Sequence, residues 1–257
     1  MGKLFPYVRL NKGVNINRVG LRFIIYINMI LHLGREVNRF KNVVGKLLSR
    51  KIFNFNEEDS LDYAFFHENG LFSKTEAIKK IAREYKEGAE ARKHLVMLDI
   101  GCGTGEIDEV IQHDFSRIIG IDCVKEPIKK AIAKKIDNAD FLISNAEKLC
   151  FSNESFDMVI LINTFHHAYK SIPIVVKESF RVLRRNGLLI ISEFNPFNPI
   201  GLLWFYFLCP VDKGGRMINP IYLKEIAELT NGKTITAFKP LSLSFYFEYM
   251  AIYQKIN

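Results

Sequence analysis

The chain is poor in cysteine, and the four it has (Cys102, Cys123, Cys150 and Cys209) include no Cys-x-x-Cys pair and no histidine at zinc-ligand spacing. A disulfide framework and a zinc module are therefore excluded as organising elements, and reduced thiols of a cytosolic protein are expected. Long apolar runs are also missing near the start. The most apolar stretch there, residues 19–33, is 15 residues long and contains Arg22, Asn28 and His32. A spanning helix needs about 20 mostly apolar residues. No small-residue cleavage site accompanies the stretch, which argues against a secretory signal. Repeats and low-complexity tracts are absent. Acids are scarce at first: residues 1–51 hold eleven Lys and Arg against one acid, Glu36, a local charge of +10. The whole chain carries +8, so residues 52–257 are left with about −2.

The basic excess thus belongs to an appendage, residues 1–60, and not to the main domain, residues 61–257. Read as a helix, the appendage puts Asn28, His32, Arg35, Arg39, Lys46 and Arg50 on one side. Phe23, Ile27, Ile30, Val37, Val44 and Leu48 fall on the other. A basic amphipathic helix of this kind can lie on an anionic membrane surface. Packing on the main domain or on a second subunit, with the charges solvated, fits equally well. Localisation is accordingly expected to be cytoplasmic, with peripheral membrane contact as the membrane variant of that reading.

Apolar content of 48% and charged content of 25% are ordinary for a globular protein with a sizeable core. Residues 53–72, aromatic and acidic, read as irregular and flap-like, and residues 73–93 as a helix with Ala77, Ile78, Ile81, Ala82 and Tyr85 inward. Strands are expected at 94–100, 117–121, 140–143, 156–162 and 188–194, with helices at 106–114, 125–136 and 174–184. A further helix at 220–230 precedes strands near 234–238 and 245–255. This alternation implies an α/β domain with a mostly parallel sheet covered on both faces.

The densest signal is Val96-Met97-Leu98-Asp99-Ile100-Gly101-Cys102-Gly103-Thr104-Gly105-Glu106, a strand running into a helix through three glycines at alternate positions. Such a turn lets backbone approach a ligand closely and offers unpaired N–H groups at the helix start. The dinucleotide fingerprint Gly-x-Gly-x-x-Gly is not met, because the third glycine comes one position early. Glu106 stands where a pyrophosphate site wants Gly or Ala, and an acid there suits a cationic cofactor better.

Residues 98–105 resemble motif I of the class I S-adenosylmethionine-dependent methyltransferases. Residues 144–151 and 155–159 are similar to the family's D-A-E-x-L-P-F and F-D-x-V segments, with Asn145 for the usual Asp and Cys150 for the usual Pro. Residues 181–187 resemble its R-V-L-(K/R)-P-G-G turn. The resemblance implies a Rossmann-like seven-stranded sheet, mostly parallel with its last strand antiparallel, and S-adenosylmethionine as cofactor. It places Asp99, Gly101, Cys102, Gly103, Gly105, Asp122, Cys123, Asn145, Ala146 and Asn163 around that cofactor. Asp122, 17 positions past Gly105, would accept from both ribose hydroxyls. Cys123 would lie along the adenine, Asn145 would accept from its amino group, and Asp99 would face the cofactor's ammonium. Asp157 is read as ordering the fourth strand.

After that strand, Asn163-Thr164-Phe165-His166-His167 resembles an element of small-molecule and lipid methyltransferases. His166 or His167 would act as general base if the acceptor is a hydroxyl; a structural role is the competing reading. No metal is called for. An Asn-Pro element at 195–199 follows the fifth strand, whereas the amino-methylating enzymes of nucleic acids carry theirs after the fourth. The apolar run 200–209 is either a buried helix or the wall of an acceptor pocket. The expected activity is methyl transfer to a small hydrophobic or lipid-like acceptor. An RNA methyltransferase anchored by the basic appendage is the alternative among enzymes, and a non-catalytic cofactor- or partner-binding domain is the alternative outside them.

Overall fold

The structure, a computed structural model, describes residues 61–88, 94–198, 216–240 and 248–256. The appendage 1–60 and the run 200–209 lie outside the described residues.

A helix α1 (Leu61–Glu87) precedes seven strands. In chain order these are β1 (Val96–Ile100), β2 (Arg117–Asp122), β3 (Ala139–Ile143), β4 (Phe156–Ile162), β5 (Leu183–Phe194), β6 (Gly232–Pro240) and β7 (Glu248–Lys255). Helices α2 (Glu106–Ile111), α3 (Lys125–Ala133), α4 (Ile172–Val182) and α5 (Pro220–Leu229) connect them, with a short 3-10 turn at Gln112–Asp114. The sheet order is β3-β2-β1-β4-β5-β7-β6. The pairs from β3 to β5 are parallel, while β7 is antiparallel to both β5 and β6. The α/β class, the mostly parallel sheet and its antiparallel last strand are all as expected.

Why these residues form these elements is clear at β4, the fourth of the seven strands in sheet order. All seven residues of Phe156–Ile162 are buried, as a central strand covered on both faces must be. One face holds Met158 and Ile160 against Ile78, Ala82 and Tyr85 of α1 and Ile111 of α2. The other holds Val159 and Leu161 against Val175, Val176 and Phe180 of α4 and Leu223 and Ala227 of α5. α3 closes a smaller cluster, in which Ile128 and Ala131 meet Phe141 of β3.

Several boundaries differ from the sequence reading. The helix expected to begin at residue 73 begins at Leu61, so the second half of the 53–72 segment is helical and not irregular. No proline interrupts 61–87, and aromatic side chains lower helix propensity only slightly. The same helix stops at Glu87 instead of Lys93, with Gly88 next in the chain, a residue suited to helix C-termini. α3 ends at Ala133, three residues short of Ile136, because Lys135 takes the left-handed conformation (φ 53°). β5 starts early: Leu183 pairs with Phe156, the chain bulges through Asn186 (φ 61°), and pairing resumes at Leu188 opposite Met158.

Asp157 ties three strands together, as its sequence position suggested. Its Oδ2 accepts from the Val96 N–H at 2.9 Å and from Arg184 Nη1 at 2.6 Å. Removing a partner from a buried donor costs roughly 1–3 kcal/mol. Asp157→Ala is therefore expected to lower the unfolding free energy by about that amount, and Asp157→Asn by less, in urea denaturation followed by circular dichroism. Equal stability of the Ala variant and the parent would show that the tie is dispensable.

Candidate functional site

Strand order decides where a ligand can sit. From β1 the chain steps outward to β2 and β3, while β4 lies on the other side of β1 and leads to β5. The loops leaving β1 and β4 therefore diverge, opening a crevice at the C-terminal edge of the sheet. The glycine loop, the end of β2 and the 163–167 segment all emerge at this edge.

The loop is built by its glycines and by β2. Gly101, Gly103 and Gly105 have φ of 79°, 55° and 70°. The Gly101 and Cys102 N–H groups both donate to the Ile121 carbonyl, at 2.7 and 3.0 Å, and the Gly103 N–H donates to Asp122 Oδ2 at 3.1 Å. Asp122 also accepts from the Val124 N–H at 2.8 Å. One half-buried carboxylate thus fixes both the middle of the loop and the turn after β2. A Cβ at Gly101 would strike Thr164 Oγ1 at 2.5 Å and one at Gly105 would strike Phe141 at 2.9 Å, so those two glycines serve close packing. At Gly103 a Cβ would meet nothing within 4 Å. That open space, with the Asp122 carboxylate at its side, fits the nucleoside and amino-acid portions of S-adenosylmethionine.

The remaining expected cofactor residues divide. Cys102 is buried and packs with the α3 cluster, so its side chain faces the core; burial also pushes its thiol well above the usual range. Cys123 is exposed at the end of β2. Asn145 is exposed and its Oδ1 accepts from the Glu147 N–H at 2.8 Å, and Ala146 packs on the main core. Asn163 follows β4 in a left-handed conformation (φ 52°), with its N–H donated to the Ser192 carbonyl.

Asp99 is turned inward. It is 2% exposed and faces the fully buried Asp108 of α2. Burial, and then the Asp108 carboxyl, raise Asp99 well above the usual carboxylate range. Burial pushes Asp108 up to about 7, against the hydrogen bond from Asp99 and the charge of Lys134. The two buried carboxyls belong to the strand and the helix that the glycine loop joins. Asp108 was not singled out in the sequence, where it reads as one more acid in the first turn of a helix.

Glu193 is the second residue that sequence reasoning left without a role. Its Oε1 accepts from the Thr164 and Phe165 N–H groups at 2.9 and 2.6 Å, and its Oε2 lies 3.0 Å from His166 Nδ1. Both side chains are buried. A carboxylate at Nδ1 selects the tautomer with the proton on that nitrogen. The His166 carbonyl accepts from the Arg216 N–H, and its ring packs 4.2 Å from that of His167 and edge-on to Phe194. His167 itself is exposed. Of the two expected catalytic histidines, His166 is pinned inside and His167 faces outward. Among the described residues no group of His, Cys, Asp and Glu is placed to hold a metal, and no helix is long and apolar enough to cross a membrane.

Comparison with known proteins agrees with this geometry. Residues 98–191 match the family profile described as a methyltransferase domain. An uncharacterised methyltransferase of Bacillus subtilis is 29% identical over 143 residues, covering 50% of this chain and 56% of the relative. A ubiquinone biosynthesis O-methyltransferase of Pelagibacter ubique is 31% identical over 106 residues, covering 40% and 43%. The chain spans about half the length of these relatives. A Thermotoga maritima structure, titled a possible histamine N-methyltransferase, shares the fold with a TM-score of 0.59 at 16% identity, over 79% of this chain and 100% of that one. Over residues 98–191 the chain is thus similar to methyltransferase domains, and its fold is that of solved S-adenosylmethionine-dependent methyltransferases.

Two outcomes follow from the site. Asp122→Ala removes a charged acceptor from the expected ribose position and frees the Gly103 N–H, so S-adenosylmethionine affinity should fall at least about tenfold in calorimetry while circular dichroism is unchanged. Unchanged affinity would place the ribose elsewhere. For the acid pair, a folded pKa above the ordinary value means that the native state keeps a proton which the unfolded chain has released. Its contribution to stability is full below about pH 4 and is lost as pH rises through about 7. Asp108→Asn removes that titration. Variant stability relative to the parent should therefore climb from about pH 4 to about pH 7 and level off above, by up to about 1.4 kcal/mol per pH unit for one proton. A pH-independent difference in urea denaturation would show that burial does not raise Asp108.

Proposed function

We propose that this chain transfers a methyl group from S-adenosylmethionine to a small hydrophobic or lipid-like acceptor. The observation that carries the reading is the open space at Gly103 beside the Asp122 carboxylate, within a matched methyltransferase domain. When bound, S-adenosylmethionine supplies an electrophilic methyl group on a sulfonium. The backbone of residues 101–105 and Asp122 would hold the cofactor, and the 163–167 segment would border the acceptor. Direct transfer needs the two reactants close and aligned, and rigid positioning supplies much of such an acceleration. Glu193 serves this by fixing the Thr164 and Phe165 backbone and the His166 ring with one carboxylate. With a hydroxyl acceptor, the exposed His167 would take its proton, and the contact with the buried His166 ring supports it.

The hydrophobic acceptor is supported by the apolar, aromatic sequence 200–209 and by the quinone-pathway relative. The full chain would be incubated with methyl-labelled cofactor and, separately, a total lipid extract and total RNA. Label is expected in the lipid fraction. Label in RNA would replace this reading with the RNA methyltransferase reading, and label in neither would leave a cofactor-binding domain. With a hydroxyl acceptor, His167→Gln should lower kcat by about 100-fold with little change in cofactor KM.

A further inference from the structure

Three side chains from distant parts of the chain meet at the same edge of the sheet as the glycine loop. β7 is antiparallel to β5, so it begins where β5 ends, and Glu248 pairs with Phe194. Lys74 of α1 lies one turn before Ile78, which packs on the face formed by Met97, Met158, Ile160 and Met250. Lys74 Nζ donates to Glu248 Oε1 at 2.9 Å, and Asn163 Nδ2 donates to the same oxygen at 2.9 Å. Lys74 and Glu248 are 7% and 6% exposed, so this ion pair has been withdrawn from water.

The cluster is incompletely satisfied. Glu248 Oε2 and Asn163 Oδ1 are both buried without a hydrogen-bond partner, and so is Ser192 Oγ, two residues before Phe194 on β5. Buried polar atoms in native proteins are nearly always paired, and an unpaired one calls for an unseen donor. Two of the unpaired atoms, Glu248 Oε2 and Asn163 Oδ1, can only accept, and they belong to groups already joined at one carboxylate oxygen. The backbone of Asn163 is held left-handed, a conformation that concentrates at ligand sites when the surroundings enforce it. The next residue, Thr164, donates from Oγ1 to the Ile100 carbonyl at 3.0 Å and packs against Gly101. The cluster is therefore continuous with the cofactor crevice, on its β4–β5–β7 side.

We propose that Lys74, Asn163 and Glu248 form a recognition site that takes an uncharged hydrogen-bond donor, a hydroxyl, on an otherwise apolar acceptor. This rests on the methyl-transfer reading above and specifies its substrate class. Charge selects the ligand. Glu248 is already neutralised by Lys74, so a cationic ligand would bring a second positive charge beside Lys74, and an anionic one would face Glu248. A neutral hydroxyl donates to Glu248 Oε2 or Asn163 Oδ1 and can accept from Lys74. A site built on buried polar groups rejects an analogue lacking the matching donor, because its own groups are then left unpaired.

The test uses the full chain saturated with S-adenosylhomocysteine and two probes, 4-propylphenol and its O-methylated counterpart 4-propylanisole, which cannot donate. Ligand-observed NMR titration is expected to show the phenol binding at least about tenfold more tightly than the anisole. Two variants should reduce that preference to about threefold or less, each measured at saturating S-adenosylhomocysteine. The first is Asn163→Gly, which tolerates the left-handed backbone while deleting the amide. The second is the double variant Lys74→Met, Glu248→Leu, since replacing a buried ion pair by apolar residues of similar volume is commonly neutral or stabilising. Equal binding of the two probes by the parent, no binding of the phenol, or a preference that survives both variants overturns the proposal. Failure of the parent to bind S-adenosylhomocysteine overturns the methyl-transfer reading itself.

Discussion

Everything at the C-terminal edge depends on β4 being buried between β1 and β5. Its seven inward residues take up both faces of the sheet, so the loop leaving it can move neither toward α1 nor toward α4 without opening the core. Because β1 connects outward on the opposite side, the loops after β1 and β4 separate while their strands stay paired through Met97–Asp99 and Met158–Ile160. The crevice is thus fixed by the packing beneath it. Thr164, wedged against Gly101, sets its inner margin.

Carboxylates then organise the backbone around that crevice. Asp122 holds Gly103 and Val124, Glu193 holds Thr164 and Phe165, and Asp157 holds Val96 at the far end of β1. In each case an acid accepts from N–H groups that no strand or helix satisfies. Hydrogen bonds to a charged acceptor are stronger than neutral ones and keep a loop in one arrangement. A glycine loop is entropically costly to order, and these acids supply the order that its sequence lacks.

Two further polar groupings are of another kind. Asp99 and Asp108 are buried carboxyls that face each other, while Lys74, Glu248 and Asn163 bind one another, and both groupings leave oxygens unpaired. The first belongs to the strand and the helix that the glycine loop joins and lessens the negative charge that the sequence suggests there. The second flanks the crevice on the side away from β2. A low local dielectric raises the cost of any unpaired group, so such clusters persist where the surrounding fold enforces them.

The local signals in the sequence determined a good deal. Strand, glycine turn and helix at 96–111 were legible because apolar periodicity and glycine position are properties of a short segment. The same holds for β4, where Phe156 and the apolar run 158–162 mark the strand, and for Asp122 and Asp157 at strand ends. What only the tertiary structure decided are directions and long-range meetings. Cys102 points into the core because β2 and β3 stand beside it, Asp108 turns inward to meet Asp99, and Glu193 clamps a loop 27 to 29 residues earlier. Lys74 reaches Glu248 across 174 residues, and nothing near either position marks the pair. The helical start at Leu61 was likewise hidden, since an aromatic, acidic segment carries no strong helix period. A sequence window reports periodicity and turn chemistry within a few residues; which side chains face one another depends on how strands are ordered in the sheet.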